Sequence, residues 1–393
     1  MIGPLLTFMR IHFSQATRVE LLESIKASLR SPRRLPLFIT TPNPEIVLLS
    51  LANSEYRKVL NSSDYSIADG FGLQLAARVF GFPLAARIAG VDLMADLCNL
   101  ASSSGYRVAL LGAGKGVAAR AKEKLEAKFP TLEIVYADPG MPAESFSFDS
   151  PECIQAINQT QADFLFCAFG APKQELWIHK NLSKLNVKLA MGVGGSLDCI
   201  SGHKKRAPLL MRKMGFEWLF RFFYEPTRAL RIWNAVVVFP MTVMLWKARI
   251  LFQYRKNVVA LILDQDNRIL MVNAARNQDI KWQFPQGGID RGEDATVAVM
   301  REMREELGIA QLEIIRHVPH YSSYIWPPQY QIIYGYKGQL QDLFILRFTG
   351  QDSDFNLEYD HELSSWKWMT KSDVLVNVDP LRRSSVEKAF SFL

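Results

Sequence analysis

Five short apolar runs in the first half of the chain restrict its fold more than any other feature. They are LPLFITTPN from Leu35, YRVALLGAG from Tyr106, LEIVYADPG from Leu132, DFLFCAFGAP from Asp163 and VKLAMGVGGS from Val187. Each is too short for a core helix, rich in strand-forming residues, and closed by Gly, Pro or Asn, so each reads as a strand buried on both faces. Stretches with helical periodicity lie between them. That alternation over residues 1–203 predicts a doubly wound, mostly parallel sheet of the α/β class. Ligands in such sheets sit beyond the carboxyl ends of the strands, where the loops cluster. One of those loops, LLGAGKGVAARA from Leu110, is a glycine-rich turn opening a helix. Its free N–H groups suit a phosphate, and a tight connection needs the same glycines.

A chain of 393 residues exceeds what one ordinary core holds, so at least two domains are expected. With 49% hydrophobic and 22% charged residues, global disorder is excluded. Cys98, Cys153, Cys167 and Cys199 are far apart, with no CxxC spacing, and read as reduced thiols of a cytosolic protein. The opening MIGPLLTFMRIHF is broken by Pro4 and Arg10 and reads as a first strand, not a signal peptide.

The net charge of +7 is concentrated in one place. Residues 204–256 carry twelve basic and two acidic groups, and residues 257–393 are net negative. The basic segment should face something anionic: phospholipid headgroups, a diphosphate or nucleic acid. Little aromatic interleaving accompanies the charge, which argues against nucleic acid. Arg221, Arg228 and Arg231 are spaced to share a helical face, interrupted at Pro226. The following IWNAVVVFPMTVMLW, Ile232 to Trp246, is broken by Asn234 and Pro240 and is shorter than the roughly 20 residues of a membrane span. Flanked by cations, it reads as interfacial, with a buried helix as the other reading.

A new unit begins near Asn257 with NVVALILDQDNRILMV, a strand, an Asp-Asn turn and a strand. It leads to GGIDRGEDATVAVMREMREELGI, Gly287 to Ile309. There Glu302, Glu305 and Glu306 stand at i, i+3 and i+4, one helical face of like charges that calls for a hard cation. Asp294 can cap this helix, Val297, Met300, Met303 and Leu307 form an apolar stripe, and Gly308 suits its end.

At every fixed position this stretch resembles the Nudix box, G-x5-E-x7-R-E-U-x-E-E-x-G-U: Gly287, Glu293, Arg301, Glu302, Met303, Glu305, Glu306, Gly308 and Ile309. The resemblance implies an α/β/α sandwich over residues 257–393 in which Glu302, Glu305 and Glu306 hold Mg²⁺ or Mn²⁺. Water then attacks a phosphoanhydride polarised by the metal. WQFPQGG from Trp282, YKGQ from Tyr336, and Glu362 with Trp366 and Trp368 are similar to the branch containing RNA pyrophosphohydrolase and dinucleoside polyphosphate hydrolases. That similarity makes Glu362 a base or extra ligand. Arg276, Lys281 and Lys337 are phosphate-binding candidates or ordinary surface charge. The substrate implied is a nucleotide, with nucleic acid entering solely as an RNA 5′ end at this site.

A second resemblance is spread over residues 1 to about 250. TPNPEIVLLS from Thr41, ADGFGL with Asp69, RIAGVDLM from Arg87, LLGAGKG, FGAPKQELW from Phe169, GVGGSLD from Gly192 and RAPLLMRKMGFEWLFRFFYEPTRALR from Arg206 follow the order seen in the WecG/TagA/CpsF glycosyltransferases, glycosyltransferase family 26. The family transfers UDP-activated sugars with inversion to a polyprenyl-diphosphate-linked sugar at the inner membrane face, building surface polysaccharides. The resemblance implies a bacterial, bifunctional protein, cytoplasmic and peripheral on that membrane. Asp69 becomes the catalytic base, where an aspartate before glycine otherwise reads as a helix or turn cap. Thr41, Asn43 and Gln174 match polar positions near the sugar, and Arg87 the donor diphosphate. Arg221, Arg228 and Arg231 match arginines that a C-terminal appendage, here residues 204–256, carries over the active site. No DxD motif is present, so no cofactor is expected in this half, with arginines stabilising the departing UDP. The rival readings are a membrane-associated Nudix hydrolase whose transferase-like part is regulatory, and a Nudix unit that binds a nucleotide without cleaving it.

Overall fold

A computed structural model describes residues 5–84, 87–138, 151–225, 229–274, 282–290, 292–357, 363–378 and 382–393. The chain divides into two compact units. One comprises Met1–Lys247 with Ile332–Tyr334, the other Ala248–Gln331 with Gly335–Leu393.

The first unit opens with a hairpin of β1 (Leu5–Phe8) and β2 (Ile11–Ser14). The expected first strand is there, paired with its own neighbour and not with the parallel sheet. Next come β3 (Leu37–Thr40), β4 (Tyr65–Ser66), β5 (Arg107–Gly112), β6 (Glu133–Ala137), β7 (Phe164–Ala168) and β8 (Leu189–Gly192). Among the described residues they form a parallel sheet of order β4-β3-β8-β7-β5-β6. The apolar runs are continuous because both faces are covered. On β5, Val108 and Leu110 pack under Gly90–Ser104 and Val117–Lys128, while Ala109 and Leu111 face the core that includes Trp177 and Ile178. Burial pushes the Cys98 thiol up to about 12, so it packs as a small apolar side chain.

A continuous helix runs from Ala229 to Phe252, 24 residues in which an 18-residue stretch has a mean hydropathy of 1.7. By length and composition alone it could cross a membrane, which corrects the expectation of a segment too short to do so. Pro240 does not end it. The turn Asn234–Val238 widens to a π-helix, Phe239 N–H reaches back to the Asn234 carbonyl, and the wider turn leaves room for the proline ring. Ile232, Phe239, Val243, Trp246 and Ile250 are buried, whereas Leu230, Trp233, Met241, Met244 and Leu245 are exposed.

The second unit is a mixed sheet. β9 (Tyr254–Leu263) and β14 (Gly338–Phe348) pair in parallel at its centre. Around them lie β10 (Ile269–Ala274), β11 (Trp282–Gln283), β12 (Gln286–Gly288), β13 (Leu312–Ile325) and β15 (Leu363–Met369). The Asp-Asn turn forms as expected, with Asn267 at φ 57° and the Asp264 carboxylate accepting the Asp266 and Arg268 N–H groups. Strand alternation divides β9 between two cores. Val258, Ala260 and Ile262 meet the helix Ala295–Leu307, and Val259, Leu261 and Leu263 meet Val374, Val386 and Phe390 of the C-terminal helices. Helices thus cover both faces, giving the α/β/α sandwich.

Candidate active sites

In the first unit the loops at the carboxyl ends of β3 and β4 converge. Asn43 caps the helix Pro44–Ala52, its Oδ1 accepting the Ile46 N–H at 3.0 Å, with proline at the first helical position where no donor is missed. The Asp69 N–H donates to the Pro42 carbonyl at 2.8 Å, which ties the two loops together. Asp69 Oδ2 accepts the Gly90 N–H at 3.3 Å. It does not cap the helix that follows it, since Phe71–Val79 has Gly70 at its cap position and no side-chain cap bond; its partner is the first N–H of Gly90–Ser104. Thr41 Oγ1 packs against Gly90, and a Cβ there would press on it at 3.2 Å.

Two cavities share Asn43, Asp69, Glu217, Arg221 and Arg231. The smaller, about 140 Å³, is polar and continues along Thr41, Gln174, Gly194, Ser196 and Lys204. The larger, about 510 Å³, has apolar walls from Phe71, Leu75, Trp218, Ile232, Val236 and Pro240, with Arg87 among them. Asp69 stands where a polar chamber meets an apolar one.

Burial pushes the Asp69 carboxyl above the ordinary value. The Gly90 N–H opposes that, the nearby Glu217 adds to it, and Arg87 and Arg221 pull back. Arg87 donates to the Arg212 carbonyl at 3.0 Å and reaches Glu217 at 3.4 Å. Arg221 meets the same Glu217 at 2.5 Å, and Arg231 grips Glu45 at 2.8 Å. Arg228 and Pro226 lie outside the described residues; helix Glu217–Tyr224 precedes that gap and Ala229 resumes after it.

Gln174 is buried beneath the smaller cavity, not pointed freely into it. Its Oε1 accepts the Gly170 and Gly194 N–H groups at 3.1 and 2.9 Å, and its Nε2 donates to Glu175 at 2.7 Å. Glu175 also accepts the Tyr56 hydroxyl at 3.0 Å, and burial raises its carboxyl. The glycine-rich turn after β5 does open a helix, Val117–Lys128, and is absent from the described lining of both cavities.

In the second unit Asp294 caps Ala295–Leu307 through the Thr296 N–H at 2.8 Å, and Gly308 ends it at φ 74°. The inward face differs from the expected stripe. Ala298, Val299, Met303 and Leu307 are buried, Met300 is partly buried, and Val297 is exposed. The sheet selects the face at 299, 303 and 307, an i+4 series, and Val297 falls outside it.

Arg301 organises the acidic face. Its guanidinium forks onto Glu293 at 2.8 and 2.9 Å, contacts Glu302 at 2.8 Å and Glu305 at 2.9 Å, and donates to the Gly288 carbonyl at 2.9 Å. This fork holds the Glu293 carboxyl down to about 2. Burial raises Glu302 despite Arg301. Gly287 has no alternative here, because a Cβ would overlap the Glu302 side chain. Arg255 packs as closely on Gly288. The Lys337 ammonium lies over the Tyr254 ring at 5.3 Å. Glu362, Arg276 and Lys281 lie outside the described residues.

Among the described residues no three carboxylate, histidine or cysteine side chains converge closely enough to hold an ion. The donor chemistry nonetheless fits a hard divalent cation: carboxylate oxygens on one helical turn, with Glu302 desolvated beyond what Arg301 offsets.

Sequence reasoning missed Glu217, Lys204 and Arg255. Glu217 lies within the quoted RAPLLMRKMGFEWLF motif, so its position was visible although its partners were not.

The family model described as glycosyl transferase WecG/TagA/CpsF matches residues 6–253, and that of the NUDIX domain matches residues 253–389. An N-acetylglucosaminyldiphosphoundecaprenol N-acetyl-beta-D-mannosaminyltransferase of Staphylococcus aureus strain MRSA252 is 31% identical over 211 residues, covering 54% of this chain and 81% of the relative. The protein of that name from strain NCTC 8325 / PS 47 matches over the same shares. Among solved structures, a C. elegans Ap4A hydrolase binary complex is similar at 24% identity, over 35% of this chain and 96% of that one, with a TM-score of 0.29. The chain belongs to the WecG/TagA/CpsF glycosyltransferase family and carries a Nudix hydrolase domain after the transferase.

Proposed function

We propose that the transferase moves an N-acetylhexosamine-type sugar from a UDP-sugar to a polyprenyl-diphosphate-linked sugar, with inversion, in the synthesis of a surface polysaccharide. The observation that carries this reading is the position of Asp69 at the junction of a polar and an apolar-walled cavity. The polar chamber suits a sugar nucleotide, and the apolar one suits an acceptor attached to a polyprenyl chain. Asp69 takes the proton of the acceptor hydroxyl as its oxygen attacks the anomeric carbon and UDP departs. A desolvated carboxylate is the stronger base for that step. Arg87 and Arg221 stabilise the leaving diphosphate, with Thr41 and Asn43 beside the sugar and Arg231 toward the acceptor; Arg228 is a further substrate-binding candidate. Gln174 acts through the Gly170 and Gly194 loops that it holds.

The chain is read as residues 1–203 for the transferase core, 204–256 for the basic appendage and 257–393 for the hydrolase. The exposed apolar side chains of the appendage, Phe222, Phe223 and Leu230 among them, support peripheral seating on the cytoplasmic face of the membrane beside anionic headgroups. In the hydrolase, Glu302, Glu305 and Glu306 would hold Mg²⁺ or Mn²⁺, which supplies polarisation of a phosphoanhydride. Arg301 orients Glu302 and Glu305, and Arg255 and Lys337 are cations for a nucleotide polyphosphate, with Glu362 as an additional base or ligand.

A panel of UDP-sugars offered with a polyprenyl-diphosphate-GlcNAc analogue tests the transferase reading. An N-acetylhexosamine added with inverted anomeric configuration is expected by NMR, and a product of retained configuration overturns it. Mg²⁺-dependent hydrolysis of dinucleoside polyphosphates, abolished by Glu306→Gln, tests the hydrolase; binding without cleavage overturns it.

A further inference from the structure

One carboxylate lines both transferase cavities without a place in the transfer chemistry. Glu217 lines both chambers beside Asp69 and bridges two cations from separate parts of the unit. Arg87 comes from the loop before Gly90–Ser104, and Arg221 from the appendage helix Glu217–Tyr224. These are the arginines that a donor diphosphate needs. Among the described residues every cation lining the two cavities already has a carboxylate: Arg231 has Glu45, and Lys204 has Asp198 and Glu225. An incoming diphosphate must therefore displace an internal anion or share its donors.

Glu217 is placed to yield because it bridges both of the arginines assigned to the diphosphate. Its bond to Arg87, at 3.4 Å, is longer than that to Arg221, at 2.5 Å, and Arg87 stays anchored without it through the Arg212 carbonyl at 3.0 Å. The Glu217 charge also repels that of the buried Asp69 carboxylate, so holding both carboxylates ionised there is unfavourable. An acid in the first turn of a helix would be satisfied facing solvent; this one turns to the arginines instead.

Resting on the reading of Arg87 and Arg221 as the diphosphate site, we infer that Glu217 is a stand-in anion. In the donor-free enzyme it occupies the two arginines, holds the appendage across the cavity, and is exchanged for the donor diphosphate when UDP-sugar binds. Glu217 is then an internal competitor that sets donor affinity, a positioning residue acting through Arg87 and Arg221.

The test is UDP binding to the full chain by calorimetry, with EDTA present so that the hydrolase is idle, for wild type, Glu217→Gln, Glu217→Ala and Arg87→Ala. Removing a competing, partly exposed carboxylate should tighten UDP about fivefold in Glu217→Gln, with Glu217→Ala moving the same way. The donor KM should fall without a rise in kcat. A carboxylate that merely holds the appendage in place gives the opposite sign, because loosening the appendage weakens UDP binding. Unchanged or weaker binding in folded Glu217 variants, with Arg87→Ala still weakening it, overturns this inference and leaves the diphosphate reading standing. UDP binding indifferent to Arg87→Ala overturns both.

Discussion

Asp69 Oδ2 lies 3.3 Å from the backbone nitrogen of Gly90, so this carboxylate, the proposed base, is held by the start of a helix. The bond comes from the first residue of Gly90–Ser104, where N–H groups lack intrahelical acceptors. It fixes a carboxylate that lines both cavities, and in the proposed mechanism the second oxygen receives the acceptor proton. Burial favours the protonated form, and Gly90, Arg87 and Arg221 oppose it.

The pH dependence follows from that balance. In the proposed role as base Asp69 must be deprotonated, so activity should fall as pH drops through its raised pKa. Arg87→Ala removes a positive neighbour that favours the charged form, so the acid limb of kcat/KM should move to higher pH. The limb should stay in place in Lys122→Ala, a substitution at a half-buried helix position outside both cavities. Rate profiles from pH 4 to 8 for the three proteins check this.

Gln174 tests structure separately from chemistry. Gln174→Ala leaves the Gly170 and Gly194 N–H groups and Glu175 without their partner beneath the cavity floor. A loss of about 1–3 kcal/mol is expected in chemical denaturation of the transferase. Gln174→Glu should fare no better, because it places a second carboxylate against Glu175.

Arg301 gives a prediction for the hydrolase. Arg301→Lys loses the fork onto Glu293 and the shared contacts to Glu302 and Glu305, and hydrolysis should fall about 10–100-fold. The stability linkage has a defined sign. Glu293 titrates at about 2 when folded against 4.5 ordinarily, so its contribution is present above about 4.5 and is lost as pH falls toward 2. The stability difference between wild type and Arg301→Ala should shrink over that window.

The five apolar runs located β3 and β5 to β8 because strands covered on both faces leave an unbroken hydrophobic record. β4 left none, since Tyr65–Ser66 is two residues long and is defined by its pairing with β3. The Nudix helix was legible at its caps and at Met300, Met303 and Leu307 of its inward face, whereas Val297 is exposed because the sheet decides which side is covered. The 229–252 helix was cut short in the sequence reading because Pro240 reads as a breaker, and only the preceding π-turn accommodates it. Asp69, Thr41, Asn43, Arg87, Arg221 and Arg231 were named from motifs, and the folded unit brings them around two joined cavities. Glu217 stayed hidden because a glutamate four residues before an arginine reads as an ordinary helical pair. Its second partner, Arg87, is 130 residues away.

The most direct test of Asp69 as the transferase base is acceptor-dependent UDP release, measured in a Glu306→Gln background so that the hydrolase consumes neither donor nor product. Asp69→Ala should lower that release by about 10²–10⁴-fold while UDP binding persists. Release undiminished in Asp69→Ala would contradict the assignment of the base and of the cavity junction as the site of transfer.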